Sequence, residues 1–214
     1  MNFEAVIFDM DGVLIDSEPI WHSVEKDIFL RENVVITEEM CVKAQGRKSE
    51  HVIDEWKEMF PTLKLSSKEY ALEIENEVKK RISQSGEPIS GVLKALNFFK
   101  SKNLKMAVAS SSKYHLIDTV VDKLNIRSFF DKIHSSEDEK FGKPQPDVFL
   151  GAAKKLGVEP QKCLVIEDSS NGVLAGKRAQ MTVVAVLRGS NFEDKEFDIA
   201  NYKIRSLNEI DKIF

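Results

Sequence analysis

The hydrophobic positions change their period twice along the chain. A short apolar run over Ala5–Phe8, held between Glu4 and Asp9, reads as a buried strand. From about residue 17 the spacing becomes helical. Ile20, Trp21, Val24, Ile28 and Phe29 mark one helix, and Glu38–Ala44 marks a second that stops at Gly46. Val52, Ile53, Trp56, Met59 and Phe60 mark a third, ended by Pro61. Ser66-Ser67-Lys68-Glu69 has the spacing of a capping box and opens a fourth, striped by Ala71, Ile74, Val78 and Ile82. From about residue 88 short apolar runs alternate with helical stretches. The pattern predicts helix 92–100, strand 104–109, helix 116–124, strand 132–134, helix 147–156 closed by Gly157, strand 163–166, helix 172–179 and strand 182–187. Ser206-x-x-Glu209 caps a last short helix.

Near-continuous apolar strands alternating with helices belong to a parallel sheet covered on both faces, an α/β, Rossmann-like core. The opening strand must join that sheet, because the helical stretch after it supplies no strand partners. The chain therefore divides into a core, 1–16 and 87–214, and an inserted small helical cap domain, 17–86. Trp21 and Trp56 fall on apolar helix stripes and are expected in the core.

Composition narrows the class. The 214 residues are 42% hydrophobic and 31% charged, too apolar for a disordered chain and too charged for a membrane protein. A net charge of −4, with basic residues scattered among acidic ones, gives no nucleic-acid footprint. Cys41 and Cys163 are far apart and lack metal-ligand spacing, so both read as small buried apolar residues. No basic, apolar leader and no membrane-length run occurs, and no exposed apolar stripe stands out. The expectation is a cytoplasmic monomer.

The chemistry gathers at strand ends. Asp9 and Asp11 follow the first strand two residues apart, so extended backbone turns both carboxylates to one side, and Gly12 allows the sharp exit. Two adjacent carboxylates repel, and they persist where a cation or a shared proton relieves them. Ligands of open α/β sheets sit outside the carboxyl ends of the strands. Three further segments present polar groups at such ends: Ser110 and Ser111, Lys143 before Pro144, and Glu167 with Asp168. Each is weak alone; together they collect hard oxygen donors, which suit Mg2+. A hydroxyl, an ammonium and helix-start N–H groups suit a phosphate. Mg2+, phosphate and a spare carboxylate describe phosphoryl transfer through an aspartyl-phosphate. A receiver domain would need its aspartate at the end of the next-but-one strand, whereas the nearest candidate, Asp54, lies in a helical pattern, and an EF-hand would need its glycine two positions later than Gly12.

Asp9-Met10-Asp11-Gly12-Val13, Ser110, Lys143-Pro144 and Glu167-Asp168-Ser169 together resemble the four motifs of the haloacid dehalogenase superfamily, in order and across essentially the whole chain. The helical block and its Asp16-Ser17-Glu18-Pro19 lead-in are similar to the cap of the β-phosphoglucomutase-like branch. The resemblance implies that Asp9 is the nucleophile and that Asp11 protonates the leaving alkoxide and then deprotonates water. It implies phosphate binding by Ser110, Ser111 and Lys143. It implies Mg2+ held by Asp9, Asp168, the backbone carbonyl of Asp11, and Glu167 as ligand or support. Sugar-phosphate mutases of this branch carry a histidine where this chain has Trp21, with His22 one position out of register. The Ser-Glu-Pro-x-Trp lead-in looks more like sugar-phosphate and hexitol-phosphate phosphatases of the 2-deoxyglucose-6-phosphatase type. The expected activity is Mg2+-dependent hydrolysis of a small phosphorylated metabolite, with a mutase and a non-catalytic regulatory protein as alternatives. Glu18, Arg47 and Lys48 are the candidate substrate residues of the cap.

Overall fold

Ala5, Val6, Ile7 and Phe8 have no exposed surface. In the computed structural model, which describes residues 3–188 and 192–214, they form the central strand β1 (Ala5–Phe8) of a parallel sheet. The chain then leaves the sheet for four consecutive helices: α1 (Glu18–Leu30), α2 (Glu38–Ala44), α3 (Ser49–Met59) and α4 (Ser67–Ser85). It returns through α5 (Val92–Ser101), β2 (Lys105–Ser110), α6 (Tyr114–Lys123), β3 (Lys132–Ser135), α7 (Asp147–Leu156), β4 (Cys163–Glu167), α8 (Ser170–Arg178), β5 (Thr182–Val186), β6 (Tyr202–Ile204) and α9 (Ile210–Ile213).

Among the described residues the sheet has six strands in the order β3-β2-β1-β4-β5-β6, every neighbouring pair parallel. That is the doubly wound order with its reversal at β1, the place where such sheets open a crevice. Successive residues of β1 serve opposite layers. Val6 and Phe8 pack with Leu96, Phe99, Leu116 and Val120 of α5 and α6, while Ala5 and Ile7 pack with Phe149 and Ala152 of α7 and Val173 of α8. The alternation is invisible in the sequence because both faces are covered.

The helical excursion leaves and returns at one point. The Asp16 amide donates to the Glu87 carbonyl at 2.9 Å, the Ile89 amide donates to the Leu14 carbonyl at 3.1 Å, and Ile15 bridges to Pro88. The apolar residues of the four helices continue the cluster on the Val6 and Phe8 side of the sheet, and there the Phe29 ring meets Trp56 and Tyr70 with centroids 5.2 and 5.1 Å apart. The expected capping box forms: Ser66 Oγ accepts from the Glu69 amide, and the Glu69 carboxylate accepts from the Ser66 amide at 2.8 Å.

Three differences from the pattern reading are local. β6 is three residues long with only Ile204 buried, too little to set up a period. At the last helix Ser206 accepts from the Asn208 amide instead of forming a capping box, so the helix begins as a 3-10 turn over Leu207–Glu209. Helix α8 starts at Ser170, two residues earlier than expected, because Ser169 Oγ caps it by accepting from the Gly172 amide at 3.0 Å.

Candidate active site

The register that pairs Phe8 with Ile166 brings Glu167 level with Asp9 across the β1–β4 ladder. Lys143 lies between them. Its Nζ donates to Asp9 Oδ1 at 2.5 Å and to Glu167 Oε1 at 2.6 Å, with the Phe149 ring 4.9 Å away on another side. The ammonium has no exposed surface, and its two carboxylate partners outweigh burial and hold its pKa above the ordinary lysine value. The second oxygen of Glu167 accepts from the Asp168 amide (2.7 Å), the Ser169 amide (2.7 Å) and Ser169 Oγ (3.0 Å). Glu167 thus pins the turn that presents Asp168. Gly12, at φ +74°, lies against that carboxylate: a Cβ there would stand 1.8 Å from Asp168 Oδ2.

Asp9, Glu167 and Asp168 each offer a carboxylate oxygen, all within 4.8 Å of one another. With all three ionised, the carboxylates would exceed the one ammonium by two negative charges in a buried site. Burial raises the Asp9 pKa well above the carboxylate range despite the pull of Lys143, and burial with the charges of Glu167, Glu18 and Asp9 does the same to Asp168. A hard divalent cation fits this donor set and would balance its charge.

Asp11 is held quite differently. Its Oδ1 accepts from Ser17 Oγ at 2.6 Å and from Trp21 Nε1 at 3.0 Å, and its Oδ2 accepts from Ser112 Oγ at 2.9 Å. Two of those donors come from the start of the helical excursion and one from the loop after β2. The same loop and the start of α8 hold the turn after α2: Ser111 Oγ donates to the Gly46 carbonyl at 2.6 Å, and Asn171 Nδ2 donates to the Gln45 carbonyl at 3.0 Å. Ser110, 1% exposed, accepts from the Ser112 amide at 3.0 Å.

Between the acids and the helices lies a cavity of about 60 Å³. Asp9, Asp11, Ser110 and Ser111 form its floor, and Glu18, Trp21, His22, Glu25, Gln45 and Arg47 are on its cap wall. Of the cap candidates, Glu18 and Arg47 reach it. The Arg47 guanidinium, however, forks onto the Glu55 carboxylate, with one contact at 2.9 Å. Lys48 turns away and donates to the Glu139 carbonyl at 2.6 Å.

Trp21 was expected in the core and is corrected to the site: its ring packs at the edge of the apolar cluster while its N–H serves Asp11. Trp56 is buried as expected. Ser112, Ser169, Glu25 and Gln45 were not singled out by sequence reasoning. Ser112 and Ser169 adjoin motif residues and were within reach of it; Glu25 sits on helix α1 and Gln45 in the turn after α2, neither with a local signal. Cys41 and Cys163 are buried and unpaired.

The family model of the haloacid dehalogenase-like hydrolases matches residues 6–186. A hexitol phosphatase B of Escherichia coli is 34% identical over 207 residues, 96% of this chain and 93% of that protein. A phosphorylated carbohydrates phosphatase of Thermotoga maritima is 32% identical over 176 residues, covering 82% of this chain and 81% of the other. The crystal structure of a β-phosphoglucomutase from Clostridium difficile superposes with a TM-score of 0.85 at 28% identity, over 97% of this chain and 93% of that one. The chain belongs to the haloacid dehalogenase-like hydrolase family.

Proposed function

We propose that this hydrolase is a Mg2+-dependent phosphatase of small sugar or polyol phosphates and works through an aspartyl-phosphate on Asp9. The observation that carries the reading is the unequal setting of the two acids in one cavity. Asp9 Oδ1 is bound to Lys143, which leaves Oδ2 as the attacking oxygen. Asp11 stands beside it on three hydrogen bonds, within a loop-and-helix frame that can shift with the cap.

Asp9 Oδ2 attacks phosphorus, and the bond to the substrate oxygen breaks. The leaving alkoxide takes its proton from the Asp11 carboxyl. Lys143 and Ser110 hold the phosphoryl oxygens, and Ser111 anchors the cap loop over them. Water then gives its proton to Asp11 and attacks phosphorus, which frees phosphate and restores Asp9. Asp9, Asp168 and the Asp11 carbonyl would hold Mg2+, with Glu167 as their buttress because its oxygens are already taken by four donors. Bound there, the cation supplies charge neutralisation for the phosphoryl group. Segment 17–86 acts as the lid that admits substrate and excludes bulk water.

Relatives that include a hexitol phosphatase and a phosphorylated carbohydrates phosphatase support a hydroxylated substrate. The likeness to a β-phosphoglucomutase keeps a mutase as the second reading. The cap wall argues for hydrolysis, since Arg47, where the mutase reading needs a grip on a second phosphate, is engaged by Glu55. A panel of hexose, hexitol and glycerol phosphates with Mg2+, scored for free phosphate and for isomerised ester, tests the choice. Free phosphate is the expected product. Isomerisation dependent on a sugar bisphosphate primer, with negligible release, would overturn it.

A further inference from the structure

The cap wall holds a carboxyl that the chemistry at Asp9 and Asp11 does not use. Glu25 lines the cavity, is 8% exposed, and its Oε2 is buried with no hydrogen-bond partner among the described residues. A buried polar atom without a partner is costly, and such atoms are few in folded proteins. Burial pushes this carboxyl up to about 7, against weaker pulls from Cys41 and His22. The Cys41 thiol beside it is pushed up to about 12 and stays protonated. The oxygen therefore has a use only when something enters the cavity.

Position says what enters. Glu18, Trp21 and Glu25 recur at helical spacing, so one face of α1 meets the cavity. Ser17 and Trp21 mark the end of that face that touches Asp11. Glu25 lies four residues beyond Trp21, about 6 Å further along the axis. The cations near it are already engaged: His22 sits between Glu18 and Glu38, Arg47 is forked onto Glu55, and Lys48 points elsewhere. A hydroxyl, by contrast, donates well to a carboxylate oxygen.

We propose that Glu25 reads the far end of the substrate. It accepts a hydrogen bond from a hydroxyl of an uncharged sugar or polyol chain, about one helical turn along α1 beyond Trp21. It thereby favours long neutral phosphomonoesters over short ones and over those with a second anionic group. The assignment rests on the phosphatase reading of the same cavity.

The test measures kcat/KM of the intact enzyme with Mg2+, in mildly alkaline buffer, for a hexitol 6-phosphate, glycerol 3-phosphate and 6-phosphogluconate. Wild type, Glu25→Leu and Glu25→Gln are compared. In Glu25→Leu the hexitol-to-glycerol ratio is expected to fall about ten-fold or more, because the apolar replacement cannot take the hydroxyl. Glu25→Gln keeps an acceptor and the shape. It is expected to retain most of that ratio while its preference over 6-phosphogluconate narrows about five-fold or more. The Gln variant also serves if the Leu variant fails to fold. Equal losses for all three esters, or unchanged ratios in both variants, would overturn the assignment and leave the phosphatase reading standing. Absence of release from every phosphomonoester by wild type would remove that reading and the assignment with it.

Discussion

Asp9 and Asp11 differ in what surrounds them, and each setting makes a separate claim. Asp9 is 3% exposed and bound to a buried ammonium, whereas Asp11 rests on Ser17, Trp21 and Ser112. Replacing Asp11 with Asn keeps the shape and removes the proton carrier. Phosphate release is expected to fall about 10²–10⁴-fold with the thermal midpoint unchanged. Unaltered turnover in Asp11→Asn would remove the proton role. Trp21→Phe deletes one of the three donors and is expected to lower kcat about ten-fold in the same assay. Glu25 makes a claim about stability. An acid whose pKa rises on folding holds its proton more tightly in the folded chain. Its penalty is therefore absent below the unfolded value of 4.5 and grows as pH climbs to about 7. The groups facing it are His22, Glu18, Lys26 and Cys41. Glu25→Gln is expected to stabilise the protein above that window, by on the order of 3 kcal/mol at most, and to do little below it. Thermal melts across the range check the sign. Equal shifts at both ends would contradict it.

Helix α1 and the loop after α2 link the cap to the chemistry. α1 gives Trp21 to Asp11 and Glu25 to the cavity, and the loop lays the Gly46 carbonyl on Ser111. Gly46 has φ +73°, and a Cβ there would stand 2.3 Å from Ser169 Oγ. Gly46→Ala is expected to hold the cap off the core and raise KM about ten-fold or more, with little change in the melting of the core. A KM equal to wild type would show that this approach is not needed. The core strands, the four cap helices and the acids at strand ends were legible in the sequence because each has a local period or a local motif. Trp21 was not. Its spacing puts it on an apolar stripe, and only the fold of Ser17–Trp21 against Asp11 reveals its N–H as a donor. Glu25 was hidden for the same reason, a polar residue on a helix whose burial comes from long-range packing. The partner of Arg47 could not be read either, since Glu55 lies on another helix and nothing local announces the pair. β6 escaped because three residues carry no pattern.

Across the molecule, the sheet brings Asp9, Glu167 and Asp168 together from two strands and sets one buried lysine against them. Ionising all three carboxyls against one ammonium is unfavourable in a buried site, so a divalent cation held there should stabilise the folded chain. Mg2+ is expected to raise the thermal midpoint of wild type, and chelation to lower it along with activity. In Asp168→Asn the Mg2+-dependent rise should shrink or vanish, and a rise of full size would move the cation elsewhere. The helical segment leaves the core at Asp16 and returns at Glu87, and backbone hydrogen bonds from Asp16 to Glu87 (2.9 Å) and from Ile89 to Leu14 (3.1 Å) hold the two crossings side by side. The central claim is that the phosphoryl group passes through Asp9 on its way to water. The direct measurement is a rapid quench of wild type turning over a hexitol 6-phosphate with Mg2+, followed by borohydride reduction and peptide mass analysis. Reduction of an aspartyl-phosphate leaves homoserine. Homoserine at position 9, present during turnover and gone once the substrate is consumed, with one free phosphate for each hexitol released, is the expected result. Phosphate release with no reducible group at position 9 would contradict the account.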